Sequence, residues 1–97
     1  MCPLQYEWDE SKSERNREQR GFDFEDAIRV FDGHLVEWCD IRQAWGEVRT
    51  VAVGAIGSLI LAVVYTERDQ KRRIISARVA RKKEADLWRW SARPWPK

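Results

Sequence analysis

The middle of the chain is apolar almost without interruption. Residues 47–56 and 59–65 are rich in Val, Ile and Leu, and Gly57-Ser58 stands between them, so the two runs are expected to pair as a hairpin. Residues 67–71 form a charged turn, and residues 72–77 read as a further strand. Residues 35–39 read as a strand ahead of the hairpin, followed by a loop over residues 40–46. Tyr6-Glu7-Trp8 suits a short edge strand.

Three segments carry helical signals instead. Ser11-Lys12-Ser13-Glu14 matches a capping box for a helix over residues 10–20, with Gly21 placed to end it. This helix contains no apolar residue, so it needs a polar site or a partner beneath it. Lys12, Asn16, Gln19 and Arg20 share the face expected to point inward. The second helix is capped by Asp23, carries the stripe Phe24, Ala27, Ile28 and Phe31, and stops at Asp32-Gly33. A closing helix over residues 79–90 places Ala80, Glu84, Leu87 and Trp88 together. Glu84 then falls on the buried side, where an acid needs a cation to meet it.

The elements add up to an α+β fold: two N-terminal helices, a central mainly antiparallel sheet of about four strands and a C-terminal helix. Its 97 residues fit a single domain, 1–97, with one modest core and an irregular Trp-rich tail at residues 90–97. Residues 51–65 are apolar but too short for the roughly 20 residues of a membrane span, and Gly54 and Gly57 interrupt them. No leader pattern opens the chain, and a cytoplasmic protein with no membrane association is expected.

Composition narrows the chemistry. Cys2 and Cys39 are too few for a disulfide framework, and Cys39, in an apolar context, is expected to be a small core residue. With His34 as the only histidine, neither a metal cluster nor a cofactor is expected. The formal charge is only +2, yet it is divided unevenly. Residues 1–40 hold five Lys/Arg and eleven Asp/Glu; residues 41–97 hold thirteen and five. An acidic half joined to a basic half fits a nucleic-acid binder, or a protein with an oppositely charged partner.

Strand alternation puts Glu47 and Arg49 at the rim of the face that carries Val51 and Val53. Glu67 and Arg68 follow at a turn, and Arg73 and Arg78 lie near the two ends of the next strand. Antiparallel pairing can gather these groups. Such a gathering suits metal-free RNA cleavage, in which a base takes the 2′-hydroxyl proton and cations stabilise the phosphorane. Arginine suits the second role because its fork binds phosphate oxygens in pairs. Arg78, Arg81, Lys82 and Lys83 read as a phosphate-docking or partner-docking patch. The six tryptophans read as core and interface anchors, or as stacking platforms for bases.

These residues resemble a known family. Tyr6-Glu7-Trp8-Asp9, Asn16, Gly21, Phe24-Glu25-Asp26-Ala27, Val30-Phe31-Asp32, Gly46-Glu47 with Arg49, Val63-Val64-Tyr65-Thr66-Glu67-Arg68 and Arg73-Ile74-Ile75-Ser76-Ala77-Arg78, with Ala80 and Glu84, are similar to the BrnT ribonuclease toxins of type II toxin–antitoxin modules. The resemblance implies a RelE-like fold and metal-independent mRNA cleavage that inhibits translation. It implies an antitoxin of the BrnA type, a ribbon-helix-helix DNA binder, with operator DNA contacted only through that antitoxin. It implies Glu47, Arg49, Arg68, Arg73 and Arg78 as the site, with Tyr65 and Glu84 in support. With the basic patch added, Glu47, Arg49, Arg73 and Arg78 are expected to be catalytic, and Arg20, Arg68, Tyr65, Arg81 and Lys82 to contact RNA. Where that family carries Lys-His before the glycine ending the first helix, this chain has Gln19-Arg20. The replacement keeps open a rival reading, a weakly catalytic homologue that serves as a protein-binding or RNA-binding module.

Overall fold

The structure is a computed structural model and describes residues 5–40 and 48–92. In chain order it consists of β1 (Gln5–Trp8), α1 (Glu10–Arg20), α2 (Phe24–Ala27) continuing into a 3₁₀ helix (Ile28–Asp32), β2 (Val36–Asp40), β3 (Arg49–Ile56), β4 (Leu59–Arg68), β5 (Lys71–Val79) and α3 (Lys82–Ser91). The fold is α+β, with three α-helices around one mixed sheet of order β1-β5-β4-β3-β2. The sheet has five strands where about four were expected. The edge strand expected at Tyr6-Glu7-Trp8 is β1, which joins this sheet by pairing in parallel with β5 from Gln5↔Lys71 to Trp8↔Ile74, while the other neighbours are antiparallel.

Alternation along the central strands sends side chains to two faces, and each face is covered differently. One holds Ala52, Leu61, Val63, Tyr65, Ile74 and Ala77 beneath Phe22, Phe24, Ala27 and Val30 of the N-terminal helical layer. The other holds Val51, Val53 and Ala62, packed by Ala80 and Trp88 of the C-terminal segment and by Trp38. Burying Phe24 alone, 2% exposed, contributes about 2–3 kcal/mol of apolar transfer.

The all-polar α1 is held by hydrogen bonds. Asp9, not Ser11, caps it, its carboxylate accepting from the amides of Ser11 at 2.9 Å and Lys12 at 3.4 Å. Ser13 is buried instead and accepts from the amide of Phe24 at 3.0 Å. Asn16, also buried, donates to the Phe22 carbonyl at 2.9 Å. Of the set expected to face inward, Lys12 and Gln19 are exposed, whereas Asn16 and the guanidinium of Arg20 make the ties. Gly21, at φ 90°, ends the helix in the left-handed conformation that favours glycine. Asp23 and Asp26 form the capping box of α2.

Three other expectations are revised. Cys39 is exposed on the edge strand β2 and not in the core, because Val36, Trp38 and Asp40 take the covered face of that strand. β5 runs to Val79, and the Ala80 amide donates to the Ile60 carbonyl at 2.8 Å, so helix starts only at Lys82 and not at residue 79. Leu87 is consequently exposed, while Ala85 is buried and Trp88 packs. The turn from β4 to β5 contracts to Asp69 and Gln70, both with positive φ, and β4 continues to Arg68.

Gly54 sits where the 3₁₀ helix crosses β3. A Cβ there falls 2.9 Å from Val30 Cβ and 3.2 Å from the Val30 carbonyl oxygen. Gly54→Ala is therefore expected to destabilise the fold by about 1–3 kcal/mol, read as a fall of at least roughly 5 °C in Tm. Gln70→Gly is expected to act oppositely, gaining about 0.5–1 kcal/mol by relieving a left-handed residue. Thermal unfolding followed by circular dichroism checks both.

Candidate active site

One irregularity determines which arginines share a face. Val64 pairs with Ser76 but Tyr65 pairs with Ile74, so Ile75 is an extra residue in β5. Ile75 and Ser76 then both turn toward the face that carries α3. Arg73 and Arg78 are five residues apart, and strict alternation would send them to opposite faces; the bulge returns both to one.

On that face, beside the N-terminal end of α3, lies a cleft of about 330 Å³. Val51, Val64, Ile75 and Ser76 line it, together with Arg49, Arg78 and Arg81 from β3, β5 and the N-cap of α3. Trp38, Asp40 and Glu84 complete the lining. Glu84 takes both ends of the Arg78 fork, at 2.7 and 2.9 Å, and also accepts from the Arg81 amide at 2.8 Å. The hydrogen bonds from Arg78 hold the Glu84 carboxyl below its usual range, and the same bonds raise Arg78. Both therefore stay charged at neutral pH, which answers the need for a cation near Glu84 that the helix pattern raised.

Arg68 and Arg73 lie on the same face outside the cleft, Arg68 by alternation from Val64 and Thr66. Arg73 reaches Glu7 of β1 at 3.5 Å. Lys82 is exposed and pairs with Asp86 at 2.9 Å. Glu47 lies outside the described residues.

Two residues expected to contact RNA lie on the side of the sheet opposite the cleft. Tyr65 is 3% exposed within the N-terminal core, and its hydroxyl donates to Glu37. Burial, with that hydrogen bond, pushes the phenol well above its ordinary range. The ring also carries the Arg72 guanidinium, 4.9 Å from its centroid. Arg20 donates to Asn16 Oδ1 at 2.8 Å and to the Ala77 carbonyl at 3.1 Å, where β5 has run past the end of its pairing with β1. It ties α1 to the sheet. His34 is likewise a fastening, bonded to Ser91 Oγ at 2.7 Å, with its carbonyl accepting from Trp88 Nε1 at 2.9 Å.

Trp38, Asp40 and Ser76 were not anticipated. Trp38 and Asp40 carry an i, i+2 signal, but it shows only if β2 includes Asp40. Ser76 depends on the bulge. Among the described residues no group of three or more potential metal ligands occurs, and no helix is long and apolar enough to cross a membrane.

A family model described as the ribonuclease toxin BrnT of type II toxin–antitoxin systems matches residues 8–84. The chain belongs to that family. The match takes in every residue that lines the cleft. No curated protein matches the chain. Membership makes this a ribonuclease toxin of a two-component module, with an antitoxin partner and an RNA substrate.

The Arg78–Glu84 fork gives a pH signature. A carboxyl whose pKa is depressed on folding contributes stability that is complete above the unfolded value, about 4.3. That contribution is lost as pH falls below it and through the folded value. Glu84→Gln is expected to cost about 1–3 kcal/mol at pH 7, with the difference from the unmodified protein shrinking below roughly pH 4. Urea unfolding at several pH values measures it.

Proposed function

We propose that the cleft between β3, β5 and α3 is the ribonuclease site, and that it cleaves mRNA without a metal and so inhibits translation. The observation that carries this reading is the convergence of Arg49, Arg78 and Arg81, from three separate elements, on one nucleotide-sized depression. Arg49 and Arg78 bind the non-bridging oxygens of the scissile phosphate and stabilise the charge of the phosphorane. The 2′-oxygen forms a bond to phosphorus as its proton passes to a base, and the bond to the 5′-oxygen breaks as that oxygen gains a proton. Glu47, two residues before Arg49, is the base in this proposal. Arg81, Arg73 and Arg68 continue the cationic track for the flanking backbone. RelE-like kinship of fold, a cytoplasmic location and a ribbon-helix-helix antitoxin of the BrnA type complete the reading. That antitoxin covers the cationic face and alone contacts operator DNA.

The test is cleavage of single-stranded RNA in EDTA. Arg49→Ala and Arg78→Ala are expected to lower the rate roughly 100-fold or more and to abolish growth arrest on expression. Arg20→Ala and Tyr65→Phe, altered on the opposite face, are expected to keep cleavage while lowering Tm. Full toxicity of both arginine variants, or loss of cleavage in the opposite-face pair with the fold intact, refutes the site.

A further inference from the structure

Phosphate binding leaves two features of the cleft unused, an aromatic wall and a second acid, and β2 supplies both. Trp38 is half-buried, its ring packed against the cluster of Val51, Val53 and Ala62, and it lines the cleft. Asp40 lies two residues on, on the same face, opposite Arg49 in the β2–β3 register, and lines the cleft as well. Both acids among the described lining residues carry interactions of their own: Glu84 holds the Arg78 fork and the Arg81 amide, and Asp40 is partnered as well.

We infer that Trp38 and Asp40 form a base subsite beside the phosphate-binding arginines, selective for guanine in single-stranded RNA; this rests on the ribonuclease reading above. The selectivity follows from what a carboxylate can do. An ionised carboxylate only accepts hydrogen bonds, so it favours a base edge that presents donors and no acceptor. Guanine places N1–H and an N2–H side by side on its Watson–Crick edge. Adenine and cytosine set a ring nitrogen acceptor next to their amino group, and uracil flanks its one N–H with two carbonyls. Only guanine therefore meets both oxygens of Asp40 with donors. Arg49 across the register does not block this, because a carboxylate offers about four acceptor sites.

Trp38 supplies the complementary half. Stacking on an aromatic ring accepts any base, since every base has a π-face, so it adds affinity without choice. A ring backed by packed valines loses little freedom when a base covers it. At about 330 Å³ the cleft is near the small end of ligand pockets, which suits one nucleotide and not a stacked run.

The experiment uses the full chain in EDTA, titrated by calorimetry with 3′-GMP, 3′-AMP, 3′-CMP and 3′-UMP, alongside cleavage of single-stranded RNA. The expected result is 3′-GMP bound roughly 10-fold or more tightly than the other three, in line with one good bidentate base contact. Asp40→Asn is expected to erase that preference, because the amide replaces one acceptor with a donor. Trp38→Ala is expected to weaken all four nucleotides together, and Trp38→Phe to restore most of the loss.

Equal binding of all four nucleotides by the unmodified protein overturns the subsite while the ribonuclease reading stands, and this comparison needs no variant to fold. A guanine preference that survives Asp40→Asn overturns it too. Selective 3′-GMP binding without cleavage supports the subsite and defeats the ribonuclease reading. Absence of both binding and cleavage removes the two together.

Discussion

A single inserted residue in β5 governs how this small sheet is used. Because Ile75 has no partner on β4, side-chain parity changes partway along the strand. Ile74 and Ala77, three apart, can both be buried under the N-terminal helices, and Arg73 and Arg78, five apart, can both face the other way. Without the insertion, one of these pairs has to be broken. Either an arginine enters the core, at the cost of desolvating an unpaired charge, or the cationic track loses one end. The bulge thus reconciles a packed core with a functional face along nine residues of one strand.

The same face shows how a charge can be both structural and chemical. Arg78 holds Glu84, and Glu84 accepts from the Arg81 amide, so one carboxylate seats the first turn of α3 and holds the Arg78 guanidinium beside it. Its position is further fixed at the far end of α3, where Trp88 and Ser91 bond to His34. The opposite layer carries a different balance, with seven acids to five bases over residues 10–32. The summed field therefore turns the arginine face, and not the helical layer, toward a polyanion.

The fold was largely legible in the sequence. The apolar runs, the Gly57-Ser58 turn, the stripe of α2 and the glycine ending α1 are local signals, and local signals survive folding. Glu84 was legible because a lone acid on an apolar face demands a cation. What escaped depends on long-range registry. Asp9 and Ser11 are both good caps, and only the docking of Ser13 on the Phe24 amide decides between them. Nothing within β5 announces that Ile75 lacks a partner, so neither Ser76 nor the company of Arg73 could be read in advance. Tyr65 and Arg20 look exposed and functional in a linear reading. Their parity and their layer place them against the core.

Arg20 bears on the departure of this chain from the family pattern at the end of α1. Position 20 ends α1 on the side of the sheet away from the cleft, and its side chain donates to the Ala77 carbonyl, which β1 is too short to reach. That position calls for a long side chain able to donate a hydrogen bond at the end of a helix. Arginine meets this need, and its positive charge also complements the C-terminal end of the helix dipole. A group held there has no path to the cleft that Arg49, Arg78 and Arg81 line. Exchanging an imidazole for a guanidinium at position 20 therefore alters how α1 is fastened to β5, and it takes no proton carrier out of the cleft. The proposed chemistry rests on residues of β3, β5 and α3, which the exchange leaves untouched.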